Sequence, residues 1–262
     1  MRDRLGVVLA SSFAVLLTLA SVIALGLGVS LASSWWPAGR GHLVLAAAVE
    51  VVVYLAFSRA LAGNLRFTAL CPFTRPSWQT AVSAVLLGVF LHGPLDFVEA
   101  WVQRWAPLPE HVLRERALGL QPEFALERVL LFVLVAGAVP VVEEVFFRGA
   151  LFARLAPVLG AFGTLLVTSV CFTASHGEPR SWPPLLAVAF VLGVLRQWYG
   201  SLWPSVLLHA TFNATTLTVV FLSPRGSFER PEPSFLAASI GTLVSAALFH
   251  RLWRSPAGAR LA

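Results

Sequence analysis

The chain has 262 residues, of which 57% are hydrophobic and 12% charged, and its mean hydropathy is +0.78. Soluble domains carry about 25% charged residues, so this composition excludes a soluble globular protein and indicates an integral membrane protein. The net charge of +6 comes from arginines that lie singly along the chain, which excludes a nucleic-acid-binding face. The two cysteines, Cys71 and Cys171, exclude a disulfide framework and a cysteine-rich zinc site.

Eight apolar segments have a length near or above the roughly 18 to 20 residues that cross a bilayer. The first is far longer than the roughly 7 to 15 apolar residues of a signal peptide, so we interpret it as a membrane span. The sequence therefore predicts an all-α, polytopic integral membrane helical bundle of about eight transmembrane helices. The predicted spans are, approximately, residues 5–31, 41–57, 78–101, 126–156, 161–176, 183–199, 203–222 and 234–253.

The distribution of arginine predicts the orientation of these spans. More arginines fall in the loops on the side of the N-terminus, which favours a cytoplasmic location for both termini. All 19 basic residues are arginine, a bias typical of a GC-rich bacterial genome, and we expect a bacterial inner (plasma) membrane. The connection at about 102–124 alternates in charge and is typical of an amphipathic surface helix on the outer side. We divide the chain into N-terminal transmembrane helices with this outer-side loop (1–124), a core with the polar motifs (125–222), and a C-terminal transmembrane helix and tail (223–262).

The fourth span contains the most costly polar residues, because each ionisable side chain inside a membrane costs roughly 2.5 to 3.5 kcal/mol. Glu143 and Glu144 are adjacent there. Glu144 and Arg148 have the i,i+4 spacing of an ion pair, whereas Glu143 points about 100° away and lacks that partner. We therefore predict that Glu143 is the acid free to act. Pro140 cannot donate a backbone hydrogen bond and is expected to kink the helix beside the two acids.

Two further polar motifs follow in later spans. Phe172 and His176 end the fifth span, and His209 and Asn213 lie in the seventh, each pair four residues apart on one helix face. The turn at 157–160 is almost equidistant from Glu143 and His176, so an antiparallel helical hairpin brings both side chains to a similar depth. A Glu and a His that face each other form a plausible water-activating pair. His209 and Asn213 can both donate hydrogen bonds to the oxyanion of a tetrahedral intermediate.

Other polar residues inside spans carry a weaker signal. His92, Asp96 and Glu99 share one face of the third span, and Glu50 is isolated in the second. We interpret all four as structural hydrogen-bonding groups or as the lining of a cavity.

The ordered set of motifs resembles the family of CAAX prenyl proteases and bacteriocin-processing enzymes, also called CPBP or ABI. The resemblance covers about residues 126–222 and implies an eight-helix intramembrane endopeptidase of the glutamate type. It also implies that Glu143 and His176 activate water, that His209 and Asn213 form the oxyanion hole, and that the substrate is a membrane-associated peptide or protein. The matching residues are Glu143, Glu144, Arg148, Phe172, His176, His209 and Asn213.

Three alternatives stay open at this point. The first is a non-catalytic membrane scaffold or bacteriocin-immunity protein with the same fold, although an intact set of polar motifs argues against it. The second is a transporter, for which we find no internal repeat. The third is a zinc-dependent peptidase, because one Glu and two His could hold zinc. However, the chain has no His-Glu-x-x-His helix, and Asn is a poor zinc ligand. We therefore expect neither a metal nor another cofactor.

Overall fold

The computed structural model describes residues 4–35, 42–63, 66–224 and 235–254. Every regular element within these ranges is a helix, which confirms the prediction of an all-α membrane protein. Helices suit a bilayer because they satisfy their backbone hydrogen bonds internally. The helices are α1 (Arg4–Trp35), α2 (His42–Ala62), α3 (Phe67–Leu70), α4 (Trp78–Phe90), α5 (His92–Trp105), α6 (Glu110–Leu120), α7 (Ala125–Val133), α8 (Val139–Glu144), α9 (Phe152–Ser175), α10 (Trp182–Tyr199), α11 (Trp203–Leu222) and α12 (Phe235–Trp253).

The outer faces of these helices are apolar, as contact with lipid requires. On α1, for example, the side chains of Leu9, Leu16 and Leu27 are 60%, 65% and 61% exposed. In water such a surface would be a severe liability, whereas hydrocarbon tails are as apolar as leucine. The chain is therefore an integral membrane protein, with helices α1 and α12 at the two ends of the described chain.

The predicted number of eight spans is not confirmed. In the described part of the chain, six helical stretches are long and apolar enough to cross a membrane, and helix α10, which matches the sixth predicted span, is not among them. The fourth and fifth predicted spans form one helical stretch, Ala125–Ser175. The predicted end of the second span, at 57, is wrong because α2 continues to Ala62. The charged Arg59 lies in the last turn of this helix. Its Nη1 donates to the Gly63 carbonyl at 3.2 Å, so the helix end accommodates the charge.

The stretch Ala125–Ser175 nevertheless folds back on itself at Gly160. This glycine has φ 71° and ψ −178°, a combination that is essentially restricted to glycine. A straight helix would separate Phe147 and Phe172 by about 37 Å, given 1.5 Å per residue. Their ring centroids are 5.2 Å apart, so the two arms are antiparallel, as the predicted hairpin requires.

The core that holds this hairpin is mainly aromatic and aliphatic. Phe146, Phe147 and Phe172 are at most 1% exposed, and helices α1 and α2 pack against the hairpin. Arg154 fastens α2 to it, because its Nη2 donates to the carbonyls of Leu61 and Ala62 at 2.6 and 3.1 Å. These bonds satisfy terminal carbonyls of α2 that have no partner within the helix. Helix α10 packs against α9, and helix α11 packs against α8.

Candidate active site

The two adjacent acids lie in a short α-helix between two π-helical segments. Helix α8 follows the π-helical segment Leu134–Ala138 and precedes the π-helical segment Val145–Leu151. In the first segment the Val139 N–H reaches the Leu134 carbonyl, five residues back. Pro140, which has no N–H to donate, stands in the first turn of α8. The distortion expected from Pro140 thus takes the form of widened turns, which often mark functional sites.

Glu144 and Arg148 form the predicted ion pair. Arg148 Nη1 lies 3.1 Å from Glu144 Oε1, and both side chains are completely buried. The other end of the guanidinium donates from Nη2 to the Ala189 carbonyl at 2.9 Å, and Cζ lies 4.3 Å from the centroid of the Phe172 ring. A buried arginine that combines an ion pair, a carbonyl acceptor and an aromatic face is held in one geometry.

His209 connects Glu144 to Glu143. Its Nδ1 lies 3.1 Å from Glu144 Oε1, and its Nε2 lies 3.5 Å from Glu143 Oε2. Glu143 and His209 are 3% and 4% exposed. Among the described contacts Arg148 pairs with Glu144 and not with Glu143, as the helical spacing predicted, and the partner of Glu143 lies on another helix, where that spacing gives no information. Since a carboxylate can only accept hydrogen bonds, His209 Nδ1 is the donor in its bond to Glu144 Oε1.

His176 follows the last residue of α9 and contacts the Phe172 ring. The centroids of the His176 and His209 rings are 4.7 and 5.7 Å from the Phe172 ring centroid, so both histidines contact this phenylalanine. His176 Nδ1 donates to the Phe172 carbonyl at 2.9 Å, which leaves the lone pair of a neutral ring on Nε2. Within the described chain no hydrogen bond or ion pair joins His176 to Glu143, so the direct imidazole partner of Glu143 is His209.

Asn213 lies one turn after His209 on α11 and is half-buried. Its Nδ2 donates to the Val135 carbonyl at 2.9 Å, in the π-helical segment before α8. An amide nitrogen carries two hydrogens, so the second can donate elsewhere. The same bond ties α11 to the segment that carries the two acids. The structure thus groups Glu143, Glu144, Arg148 and His209 directly, and places His176 and Asn213 around them.

Helix α2 contributes two side chains that the sequence did not assign to the site. The carboxyl group of Glu50 lies near enough to that of Glu143 to interact with it electrostatically. Tyr54, one turn later, is 3% exposed and interacts with the side chains of Ser175 and Ser21. The i,i+4 spacing of Glu50 and Tyr54 in an apolar helix was the available signal, but their partners are on other helices.

The polar residues of α5 have a structural role, in line with their interpretation from the sequence. His92 Nε2 lies 3.1 Å from the Phe212 carbonyl, and the two rings stack with centroids 4.0 Å apart. The second ring nitrogen faces Asp96 Oδ1 at 3.6 Å. These contacts fix α5 against α11 just before Asn213.

Within the described residues no group of three or more His, Cys, Asp or Glu side chains is arranged to hold a metal ion. The ring nitrogens of His209 face carboxylates on both sides, and His176 Nδ1 is engaged by a carbonyl.

Residues 125–215 match the family model described as "Type II CAAX prenyl endopeptidase Rce1-like". This segment is about a third of the chain and contains all seven motif residues. The match confirms the resemblance to CAAX proteases. No curated protein and no solved structure matches the chain.

Proposed function

We propose that this chain, whose residues 125–215 belong to the family of type II CAAX prenyl endopeptidases, hydrolyses a peptide bond of a membrane-associated protein or peptide. The observation that carries the proposal is the contact of 3.5 Å between Glu143 Oε2 and His209 Nε2, inside the matched segment. A buried acid and imidazole are costly in an apolar bundle, and such pairs are concentrated at functional sites.

The first step is the activation of water. Glu143 accepts one proton from a water molecule while the water oxygen attacks the carbonyl carbon of the substrate. His176 assists as an acceptor through Nε2, because its Nδ1 proton is engaged by the Phe172 carbonyl. Phe172 and the buried Arg148 position the two histidines relative to the acids.

The second step is stabilisation of the oxyanion and release of the amine. Asn213 supplies its second Nδ2 hydrogen, and His209 donates from Nε2 when its ring carries both protons. Glu144 Oε1 orients His209 by accepting from Nδ1 at 3.1 Å. When the intermediate collapses, the C–N bond breaks and Glu143 returns its proton to the leaving amine.

The proposal extends to the location of the protein. We place it in a bacterial inner membrane with both termini in the cytoplasm, on the basis of the arginine distribution. Both termini lie outside the described residues. We assign the protease core to residues 125–222, flanked by membrane helices at 1–124 and 223–262, although Glu50 reaches the site from the first of these regions.

A comparison of peptide termini tests the peptidase function. Membrane and secreted fractions are prepared from cells that produce the wild-type chain or the Glu143→Gln variant at equal levels, and their peptide termini are identified by mass spectrometry. We expect a set of termini that occurs with the wild type and disappears with Glu143→Gln. Identical sets of termini in the two strains would show that the chain is not a peptidase.

A matched variant and a chelator complete the experiment. Glu99→Gln removes another half-buried carboxyl group from a membrane helix, and we expect it to preserve the wild-type termini. The purified protein should also cut a peptide that spans a mapped cleavage site in the presence of a strong chelator. Activity that the chelator abolishes and only zinc restores would contradict the metal-free mechanism.

A further inference from the structure

The turn of α11 that carries Asn213 is held by a side chain of α5. Helices α4 and α5 belong to one apolar stretch, Trp78–Trp105, and His92 lies where α5 begins. His92 Nε2 is 3.1 Å from the Phe212 carbonyl oxygen, and the two rings stack with centroids 4.0 Å apart and an interplanar angle of 11°. A hydrogen bond and a ring stack therefore attach the residue immediately before Asn213 to α5.

The same turn of α11 lies against the backbone of α4. Gly88, one turn before His92, has no side chain between the two helices. A Cβ added at Gly88 would meet the Leu208 carbonyl oxygen at 2.6 Å and Thr211 Cβ at 3.0 Å. The backbone of α11 is thus in van der Waals contact with Gly88 and cannot move closer to α4, while the bond from His92 opposes its rotation.

The chemistry of the Phe212 contact fixes the direction of the hydrogen bond. A carbonyl oxygen can only accept, so His92 Nε2 is the donor. The other ring nitrogen, Nδ1, faces Asp96 Oδ1 at 3.6 Å, one turn later on α5. The His92 ring therefore has a neighbour on its own helix at one nitrogen and the α11 backbone at the other, and this arrangement defines the plane of the ring.

The rotation of α11 about its axis decides where Asn213 points. Asn213 Nδ2 donates one hydrogen to the Val135 carbonyl at 2.9 Å, and its second hydrogen can donate elsewhere. Side chains reach about 5 to 6 Å from a helix axis, so a rotation of about 10° moves their tips by about 1 Å. A misplacement of this size can lower a catalysed rate about 100-fold. A contact that fixes the rotation of α11 therefore has a kinetic consequence.

We propose that His92 is a positioning residue for the oxyanion donor: its bond to the Phe212 carbonyl and its stack on the Phe212 ring set the rotation of α11, and this rotation directs the second Nδ2 hydrogen of Asn213 toward the oxyanion. The inference rests on the proposed peptidase function for its kinetic consequence. The environment of the Asn213 amide, in contrast, can be measured without a substrate.

Nuclear magnetic resonance tests the position of Asn213 in the purified protein in detergent. The chain has only two asparagines, Asn64 and Asn213, so 15N labelling of asparagine side chains gives two pairs of amide signals, and Asn213→Ala identifies one of them. We expect the Asn213 pair to shift in His92→Phe, which keeps an aromatic ring but lacks the N–H donor. The pair should stay in place in Glu99→Gln, on the same helix. An Asn213 pair that a folded His92→Phe variant leaves unchanged would overturn the proposal.

Kinetics test the consequence, with a peptide that spans a mapped cleavage site. We expect His92→Phe to lower kcat roughly 10- to 100-fold with little change in KM. His92→Gln retains an N–H donor and should recover part of that loss. Because His92 acts through Asn213, His92→Phe should lower the kcat of the Asn213→Ala variant far less than that of the wild type. Losses that multiply fully in the double variant, a wild-type kcat in His92→Phe, or a His92→Gln variant as slow as His92→Phe each overturn the positioning role.

Thr216→Ala is the matched control for the hydrogen bond. Thr216 Oγ1 donates to the same Phe212 carbonyl at 3.3 Å, but from within α11. Its removal leaves the contact between α5 and α11 intact, so kcat should stay at the wild-type value. A loss as large as that of His92→Phe would show that any donor to this carbonyl matters, and would overturn the role assigned to His92.

The two proposals fail in different ways. A wild-type protein that changes no peptide termini refutes the peptidase function, while the resonance comparison still decides whether His92 positions Asn213. A protein that cuts peptides but whose Asn213 signals do not respond to His92→Phe retains the peptidase function and refutes the positioning role. Thermal unfolding verifies that each variant is folded. If His92→Phe does not fold, His92→Leu, which also lacks the donor, takes its place in both measurements.

Discussion

Removal of Glu144 should destabilise the protein far more than removal of its neighbour Glu143. Glu144 Oε1 accepts from Arg148 Nη1 and from His209 Nδ1, each at 3.1 Å, and both glutamate and arginine are completely buried. Glu144→Ala leaves the guanidinium as an uncompensated charge, which costs about 3 to 5 kcal/mol. At roughly 2 to 4 °C per kcal/mol, the midpoint of thermal unfolding should fall by roughly 6 to 20 °C.

Glu143→Ala is the matched comparison, one residue away in the same helix. It removes the 3.5 Å contact with His209 but leaves the Glu144–Arg148 pair intact. We expect a change in the free energy of unfolding within about 1.5 kcal/mol, together with complete loss of activity. The assay follows the fluorescence of the nine tryptophans during heating in detergent, at equal protein and detergent concentrations.

A double variant identifies the physical origin of the loss. Glu144→Leu combined with Arg148→Met removes both charges and roughly preserves volume, so most of the stability should return. The protein should stay inactive, because His209 no longer has its acceptor at Nδ1. Equal losses for Glu143→Ala and Glu144→Ala, or no recovery in the double variant, would refute the explanation by an unpaired charge.

Two more predictions concern rate and backbone geometry. Asn213→Ala should lower kcat roughly 100- to 1000-fold, because the oxyanion loses a hydrogen-bond donor. The control variant Thr216→Ala, one turn later, should preserve the wild-type kcat. Equal kcat values for the wild type and Asn213→Ala would refute the role of Asn213 as an oxyanion donor. Gly160→Ala should cost about 1 to 3 kcal/mol of unfolding free energy because of its φ of 71°. Gly137→Ala should be nearly neutral, since an added Cβ there meets no atom within 4 Å; similar losses for both glycine variants would contradict a special role of Gly160.

Local spacing in the sequence predicted the features that depend on a single helix or turn. The i,i+4 relation of Glu144 and Arg148 gives their ion pair, and the turn at 157–160 gives the fold-back at Gly160. Both follow from the fixed pitch of a helix and from the conformations that only glycine adopts. The apolar runs likewise predict membrane helices, because a bilayer leaves the backbone few alternatives.

Contacts between helices were not predictable in the same way. Whether Glu143 meets His176 or His209 depends on how each helix is rotated about its axis, and a rotation of 100° corresponds to one residue. The π-helical segments around α8 add such rotations. For the same reason Glu50 was interpreted as a structural residue, since nothing in α2 alone points to Glu143.

The two adjacent carboxyl groups of the site have different tasks. In a medium of low dielectric constant, the task of each group depends on the charged side chains next to it. Glu144 is fixed by Arg148 and His209, and its carboxylate compensates the charge of the buried guanidinium. Glu143 has no ion pair with arginine among the described contacts and faces His209 at 3.5 Å, so it can gain a proton without leaving a guanidinium unpaired. An acid that must accept a proton from water and return it to an amine requires the second environment. Adjacent glutamates in one helix can therefore serve as structural anchor and as base, because their partners lie on different helices.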